Sequence, residues 1–114
     1  MPDAWVEIKQ HERTPVYGEV DVASGTGTIS QAPTWSLYDS AGALVGSLTA
    51  QAVTGYDGTA GANLKAWINF APLTYSLEPG IYTLVFLIYV TGTTDSISRK
   101  EEPAVLIVIW PDYS

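Results

Sequence analysis

The 114-residue sequence predicts an all-β fold, an antiparallel β-sandwich of about seven to eight short strands that forms one domain over residues 1–114. Three observations predict it. Val, Ile, Thr, Trp and Tyr gather into short runs in which apolar and polar residues alternate, the two-residue period of a half-buried strand. Between the runs, Gly, Pro, Asp, Asn and Ser recur at intervals of about 8 to 15 residues, which is turn chemistry at the spacing of a meandering chain. No segment carries the i, i+3, i+4 apolar period of an amphipathic helix, so no helix is expected.

The first strand is expected at residues 5–9, with Val6 and Ile8 on one side and Trp5, Glu7 and Lys9 on the other. After the polar HERTP turn, residues 16–22 form a second strand, with Val16, Gly18, Val20 and Val22 inward and Glu19 and Asp21 in water. The tract 23–33, ASGTGTISQAP, is a loop that could hold a short strand around Thr28 and Ile29. Residues 34–38 place Trp35 and Leu37 on one face, and Asp39-Ser40-Ala41-Gly42 is a turn that predicts a return strand at 43–48. Residues 51–55 allow a further short strand, and the glycine-rich tract 54–63 predicts a loop. Residues 64–70 alternate again, with Leu64, Ala66, Ile68 and Phe70 opposite Lys65, Trp67 and Asn69, until Pro72 ends the run.

Leu77-Glu78-Pro79-Gly80 is a tight turn, because Pro79 presets φ and Gly80 accepts a positive one. It feeds the longest strand, 81–91, which is apolar on both faces: Tyr82, Leu84, Phe86, Ile88 and Val90 line one, and Ile81, Val85, Leu87 and Tyr89 the other. A turn near 92–95 and a charged stretch at 99–102 lead to a last strand, 104–110, again apolar on both faces. A sandwich strand needs only one apolar face. The surplus must be covered by a loop, by the other sheet's edge or by another subunit, with Pro103, Pro111 and the RKEE charges guarding against stray pairing.

Composition excludes several functions. With 12 acidic and 5 basic side chains the net charge is −7, so nucleic acid, whose binding rests on Lys and Arg against phosphates, is not an expected partner. Cysteine is absent, which excludes disulfides, thiol nucleophiles, zinc ribbons and iron–sulfur clusters, and one histidine cannot build a multi-histidine metal site. No cofactor is expected. Residues 1–10 lack the basic and apolar regions of a secretory signal, and the apolar run 104–110 is far short of the roughly 20 residues of a spanning helix. The expectation is an intact small product made in the cytosol, with no membrane partner.

Few residues suggest chemistry. His11, in the turn KQHERTP, is a general base if a serine or carboxylate meets it and a solvated turn residue otherwise; no nucleophile elbow surrounds any serine. Glu19 and Asp21 share a strand face and could chelate a hard cation with Asp57 or Asp39, though no calcium-loop pattern supports this and a wet acidic face is the simpler reading. Glu101 and Glu102 point to opposite faces and read as guarding charge, not as an acid–base pair. The glycines of SGTGT, Gly25 and Gly27, lack the following GK[ST] of a phosphate loop, and Asp57-Gly58 is turn chemistry. Trp5, Trp35 and Trp67, with Tyr17, Tyr38 and Tyr56, could form an aromatic platform for sugar or peptide. The alternation puts Trp35 in the core and Trp67 on an outer face, so Trp67 is the first choice for an exposed contact.

Two stretches resemble a known family. Trp35, Leu37 and Asp39 to Gly42, and later Leu77, Pro79, Gly80, Tyr82 and Leu84, are similar to the W-x-L-x-D-x-x-G and L-x-P-G-x-Y-x-L signatures of immunoglobulin-like β-sandwich domains. Tyr82 stands where such domains carry their tyrosine corner. Trp35, Pro79, Gly80 and Tyr82 are thus the fold-defining residues the resemblance implies. Within the superfamily the chain resembles small domains of tailed-phage virions, the capsid decoration proteins and the N-terminal domains of baseplate proteins. The likeness implies a non-enzymatic virion protein, assembled in the host cytoplasm, that binds capsid or tail subunits or forms a homo-oligomer. Trp5, Trp67, Tyr89 and Trp110 are the contact candidates. The alternative is a carbohydrate-binding or adhesive module displayed to a cell surface. An enzyme acting through His11 is a third.

Overall fold

The computed structural model describes residues 4–21, 28–29, 31–58, 64–91 and 98–112. The chain is all-β, and its strands fall into two sheets whose inner faces share one apolar cluster. The strands are β1 (Ala4–Lys9), β2 (Tyr17–Asp21), β3 (Thr28–Ile29), β4 (Thr34–Tyr38), β5 (Gln51–Ala52), β6 (Gly55–Asp57), β7 (Lys65–Asn69), β8 (Gly80–Thr91), β9 (Ser98–Glu101) and β10 (Ala104–Trp110). The larger sheet has the order β1-β10-β8-β4-β5, with β3 and β9 continuing alongside β8, and the smaller has the order β2-β7-β6.

Strand β8 is the axis. Its first half pairs with β10 on one side and β4 on the other, and its second half pairs with β9 and β3. The break between β9 and β10 falls at Glu102 and Pro103, where proline has no N–H to give the ladder. The register survives because the Phe86 amide donates to the Pro103 carbonyl at 2.9 Å. Alternation along β8 sends Leu84, Phe86, Ile88 and Val90 inward, all fully buried. They meet Trp35 and Leu37 of β4, Val105, Ile107 and Ile109 of β10, and Val20, Ala66 and Ile68 of the facing sheet.

Five expectations are corrected. The larger sheet is mixed, not antiparallel: β1 runs parallel to β10, from Ala4 opposite Val105 to Lys9 opposite Trp110. Parallel neighbours need a long crossover, and here almost the whole chain between β1 and β10 is that crossover. The described residues hold ten strand segments instead of seven or eight, because β3 and β4, and likewise β9 and β10, are successive pieces along one partner. The return strand expected at 43–48 does not form. Only a single bridge joins Tyr38 to Leu44, since Gly46 at φ +51° turns the chain away, and Gln51–Ala52 takes the place beside β4.

The tract expected to be loop from residue 54 contains β6, paired to β7. A 3₁₀ helix also forms where none was expected, over Ala71–Tyr75. Pro72 ends the preceding strand as expected, but Ala71, Leu73 and Thr74 are buried and close one end of the core. Asn69 sets this corner, its side-chain oxygen accepting the amides of Val16 at 3.0 Å and Ala71 at 3.1 Å. Val22, Gly25 and Gly27, the 92–95 turn and residues 59–63 of the glycine-rich tract lie outside the described residues.

Local devices hold the turns. The Asp39 carboxylate accepts the amides of Ala41 and Ala43 at 2.9 and 3.0 Å, and Gly42 takes φ +84°, which a side chain would resist. Gly80 has φ +155°, and the Tyr82 hydroxyl donates to the Glu78 carbonyl at 2.7 Å, tying β8 to the turn before it. Trp35 is buried, with its indole N–H donating to the Ala52 carbonyl at 3.0 Å. Among the described residues no helix is long and apolar enough to cross a membrane.

Two outcomes follow. A Cβ at Gly18 would lie 2.0 Å from the buried ring of Phe70, so Gly18→Ala is expected to lower stability by about 1–3 kcal/mol, read as a reduced urea midpoint. The Tyr82 phenol is pushed above its ordinary 10.0 by desolvation, then by the charges of Glu78 and Asp39. The folded state therefore holds that proton more tightly than the unfolded one. Its contribution is complete below pH 10 and is lost as pH rises through the folded value. Tyr82→Phe should lose roughly 0.5–1.5 kcal/mol at neutral pH with the hydrogen bond, yet show a shallower alkaline decline in thermal unfolding from pH 9 to 11.

Candidate functional site

Three surfaces collect the residues singled out in the sequence. The first is the outward face of the larger sheet. Alternation places Trp5 of β1, Leu106 and Val108 of β10, Ile81, Val85, Leu87 and Tyr89 of β8, and Tyr38 of β4 on this side. Trp5, Ile81 and Trp110 are exposed by 62%, 48% and 53%, while Val85, Leu87 and Leu106 are half-buried. Charge stands on the flanking strands, as Glu7 and Lys9 on β1 and as Lys100 on β9, opposite Tyr89. The Trp110 indole is held across that edge, its N–H donating to Glu7 Oε1 at 3.0 Å.

The second surface is the outward face of the smaller sheet. There Glu19, Trp67 and Gly55 form one cross-strand row, and Asp21, Lys65 and Asp57 the next. Three indole atoms of Trp67 lie 2.6 to 2.8 Å from where a Cβ of Gly55 would stand, so the ring rests on the backbone of β6. This close approach explains a glycine in a strand, and it is why the tract looked like loop in the sequence. Tyr17, Glu19, Lys65 and Trp67 line a cavity of ≈ 370 Å³. The Lys65 ammonium is 3.9 Å from Glu19 and 6.0 Å from the Trp67 ring centre.

The third surface is the end of the molecule where β1 and β10 finish. His11, at φ 59°, sets its Nδ1 3.2 Å from the Asp112 carboxylate, which Lys9 also approaches at 3.8 Å. Tyr75 packs beside the imidazole, ring centres 5.7 Å apart, and donates its hydroxyl to the His11 carbonyl at 3.4 Å. Lys9, His11, Glu12, Arg13 and Asp112 line a second cavity of ≈ 370 Å³. A general base acts on a group within about 3 Å. Among the described residues the lining is His11 with Lys9, Glu12, Arg13 and Asp112, none of which carries a hydroxyl or thiol for the imidazole to activate.

The sequence-predicted contact residues are not one patch. Trp5, Tyr89 and Trp110 share the outward side of the larger sheet, and Trp67 lies on the opposite side of the molecule. The six-residue aromatic platform divides likewise. Trp35 is core, Trp5 and Tyr38 face one way, Trp67 and Tyr17 the other, and Tyr56 is exposed on the edge strand β6. Asp39 is occupied in its turn and far along the fold from Glu19, so the proposed carboxylate set does not assemble. Among the described residues no three His, Asp or Glu side chains group as a metal site. Glu102 pairs with Lys100 at 3.7 Å. Glu7 and Asp112 were missed as partners, because each meets its aromatic or imidazole neighbour across more than 100 residues of chain.

Gly55→Ala is expected to lift the Trp67 ring from the sheet. It should lower stability by about 1–3 kcal/mol and shift the tryptophan emission to longer wavelength, which urea titration followed by fluorescence checks. No protein-family model and no curated protein matches the sequence.

Proposed function

We propose that the chain is a non-enzymatic structural module that binds other protein subunits through the outward face of its larger sheet. Its setting is a tailed-phage virion, where it acts as a capsid decoration (cement) protein or as a component of the tail or baseplate. One observation carries the binding surface: a sheet face whose charges, Glu7, Lys9 and Lys100, stand on the flanking strands β1 and β9, and which exposes Trp5, Ile81 and Trp110 around half-buried Val85, Leu87 and Leu106. Interface centres have this composition, apolar and aromatic with charge at the rim. Burying it against a partner removes from water the surplus that the two-faced strands carry.

The virion setting rests on the resemblance to immunoglobulin-like domains of phage particles. The finer fold reading, an immunoglobulin-like sandwich, is supported by the strand order. A first strand lies parallel beside the last in a sheet centred on β8, three strands β2-β7-β6 face it, and Tyr82 bonds back to Glu78 as a tyrosine corner does. Repetition of the module on a symmetric lattice would add avidity to a modest single contact.

The test is mass spectrometry of particles purified from cells that express the gene. The wild-type chain is expected in the particles, and Trp5→Ala and Ile81→Lys should deplete it. A loss of about 2 kcal/mol per buried anchor is roughly a 30-fold weakening. Both side chains are exposed in the free chain, so its own stability should change by no more than ~0.5 kcal/mol. Particles without the wild-type chain, or with undiminished variants, would overturn the reading. Light scattering across a concentration series separates a monomer awaiting other subunits from a homo-oligomer that covers this face with itself.

A further inference from the structure

We propose that the outward face of the smaller sheet is a binding subsite for a neutral pyranose ring, with Trp67 as its platform. The proposal concerns the side of the molecule opposite the protein-binding face and does not depend on that reading.

The platform is built into the backbone. Gly55 lets the indole pack directly on β6 with no Cβ between them, and the ring also lines the surface cavity. Tyr17 stands diagonally across the β2–β7 pair from Trp67, opposite Asn69 in register, within the reach of aromatic cross-strand neighbours. It is 57% exposed. Between the two rings lies the ≈ 370 Å³ cavity, whose remaining walls are Glu19 and Lys65. This is at the small end of the range for small-molecule sites, roughly 300–1,000 Å³.

The polar walls decide the ligand class. Glu19 and Lys65 form an open ion pair at 3.9 Å, with both side chains well exposed, and such pairs hold together weakly. Each can therefore turn to a ligand, Glu19 accepting and Lys65 donating. A pyranose answers both, because every hydroxyl is donor and acceptor while its axial C–H face is apolar enough to lie on an aromatic ring. The Lys65 ammonium lies over the Trp67 ring, 6.0 Å from its centre, so a sugar seated on the ring displaces it, which the weak pair with Glu19 permits.

Charge excludes the competitors. Glu19, Asp21 and Asp57 surround the single Lys65 in the two cross-strand rows, a formal sum of 1 − 3 = −2, which repels sialylated or sulfated sugars. A quaternary ammonium, the usual guest of an aromatic cage, would meet the Lys65 ammonium in the cavity wall. A neutral ring is left.

The experiment follows the tryptophan indole N–H signals of the ¹⁵N-labelled full chain by NMR. The probes are methyl β-glucopyranoside, methyl β-galactopyranoside, methyl α-mannopyranoside and methyl β-N-acetylglucosaminide, with N-acetylneuraminic acid and choline as charged controls. At least one neutral probe should give a saturable shift with a dissociation constant on the order of millimolar, as for a single ring on an open site. Trp67→Ala should abolish it. Tyr17→Ala and Lys65→Met, both at exposed or half-exposed positions that leave the fold intact, should weaken it at least several-fold. No saturable shift with any neutral probe, a shift unchanged in Tyr17→Ala and Lys65→Met, or tighter binding of either charged control would overturn the proposal.

Discussion

The structure is arranged around a strand that is paired along most of both its edges. β8 is twelve residues long and is flanked by β10 and β9 on one side and by β4 and β3 on the other. Its inner row of Leu84, Phe86, Ile88 and Val90 is fully buried and touches both sheets through the common cluster. Truncating a buried Phe costs about 3–5 kcal/mol, set against a total stability of about 5–15 kcal/mol for a domain of this kind. The register of β8 therefore sets the positions of all the larger sheet's other strands. A one-residue slip would turn that row to solvent.

The same alternation that buries one row presents the other. On the larger sheet the outward row is apolar because β8 and β10 carry hydrophobic residues at nearly every position. On the smaller sheet the outward positions are Tyr17, Glu19, Asp21, Lys65, Trp67 and Asn69, a charged surface around one flat indole. The two faces differ in chemistry, and so does what each can hold. A dry apolar face suits another protein surface, whereas an aromatic ring flanked by a donor and an acceptor suits a small polar ring.

The finishing ends of β1 and β10 meet at one end of the molecule. Parallel pairing of β1 with β10 brings Lys9 and His11 to Asp112, and the 3₁₀ helix closes the core beneath them through Thr74, whose carbonyl accepts the His11 amide and whose hydroxyl accepts that of Glu12. His11 takes a left-handed φ there, uncommon outside glycine, and is held by Asp112 and Tyr75 together. A turn histidine thus becomes part of a clasp between N-terminal and C-terminal segments.

The all-β class, most strand positions and the burial of Trp35 were legible in the sequence. They follow from the two-residue period, the turn residues and the apolar content of each run, all of which act over a few neighbours. The lost strand at 43–48 and the gained strand β6 were not, because a glycine marks either a turn or a close approach. Only the position of Phe70 over Gly18, of Trp67 over Gly55, or the φ of Gly46 tells which. By itself the sequence determined which residues alternate and which two strands are apolar on both faces. The tertiary structure alone decided that the first strand runs parallel to the last, that the tryptophans divide between two opposite faces, and that Glu7 and Asp112 find partners more than 100 residues away. The reason is physical: side-chain direction along a strand is a local property, whereas the neighbour a strand acquires depends on the path of the whole chain.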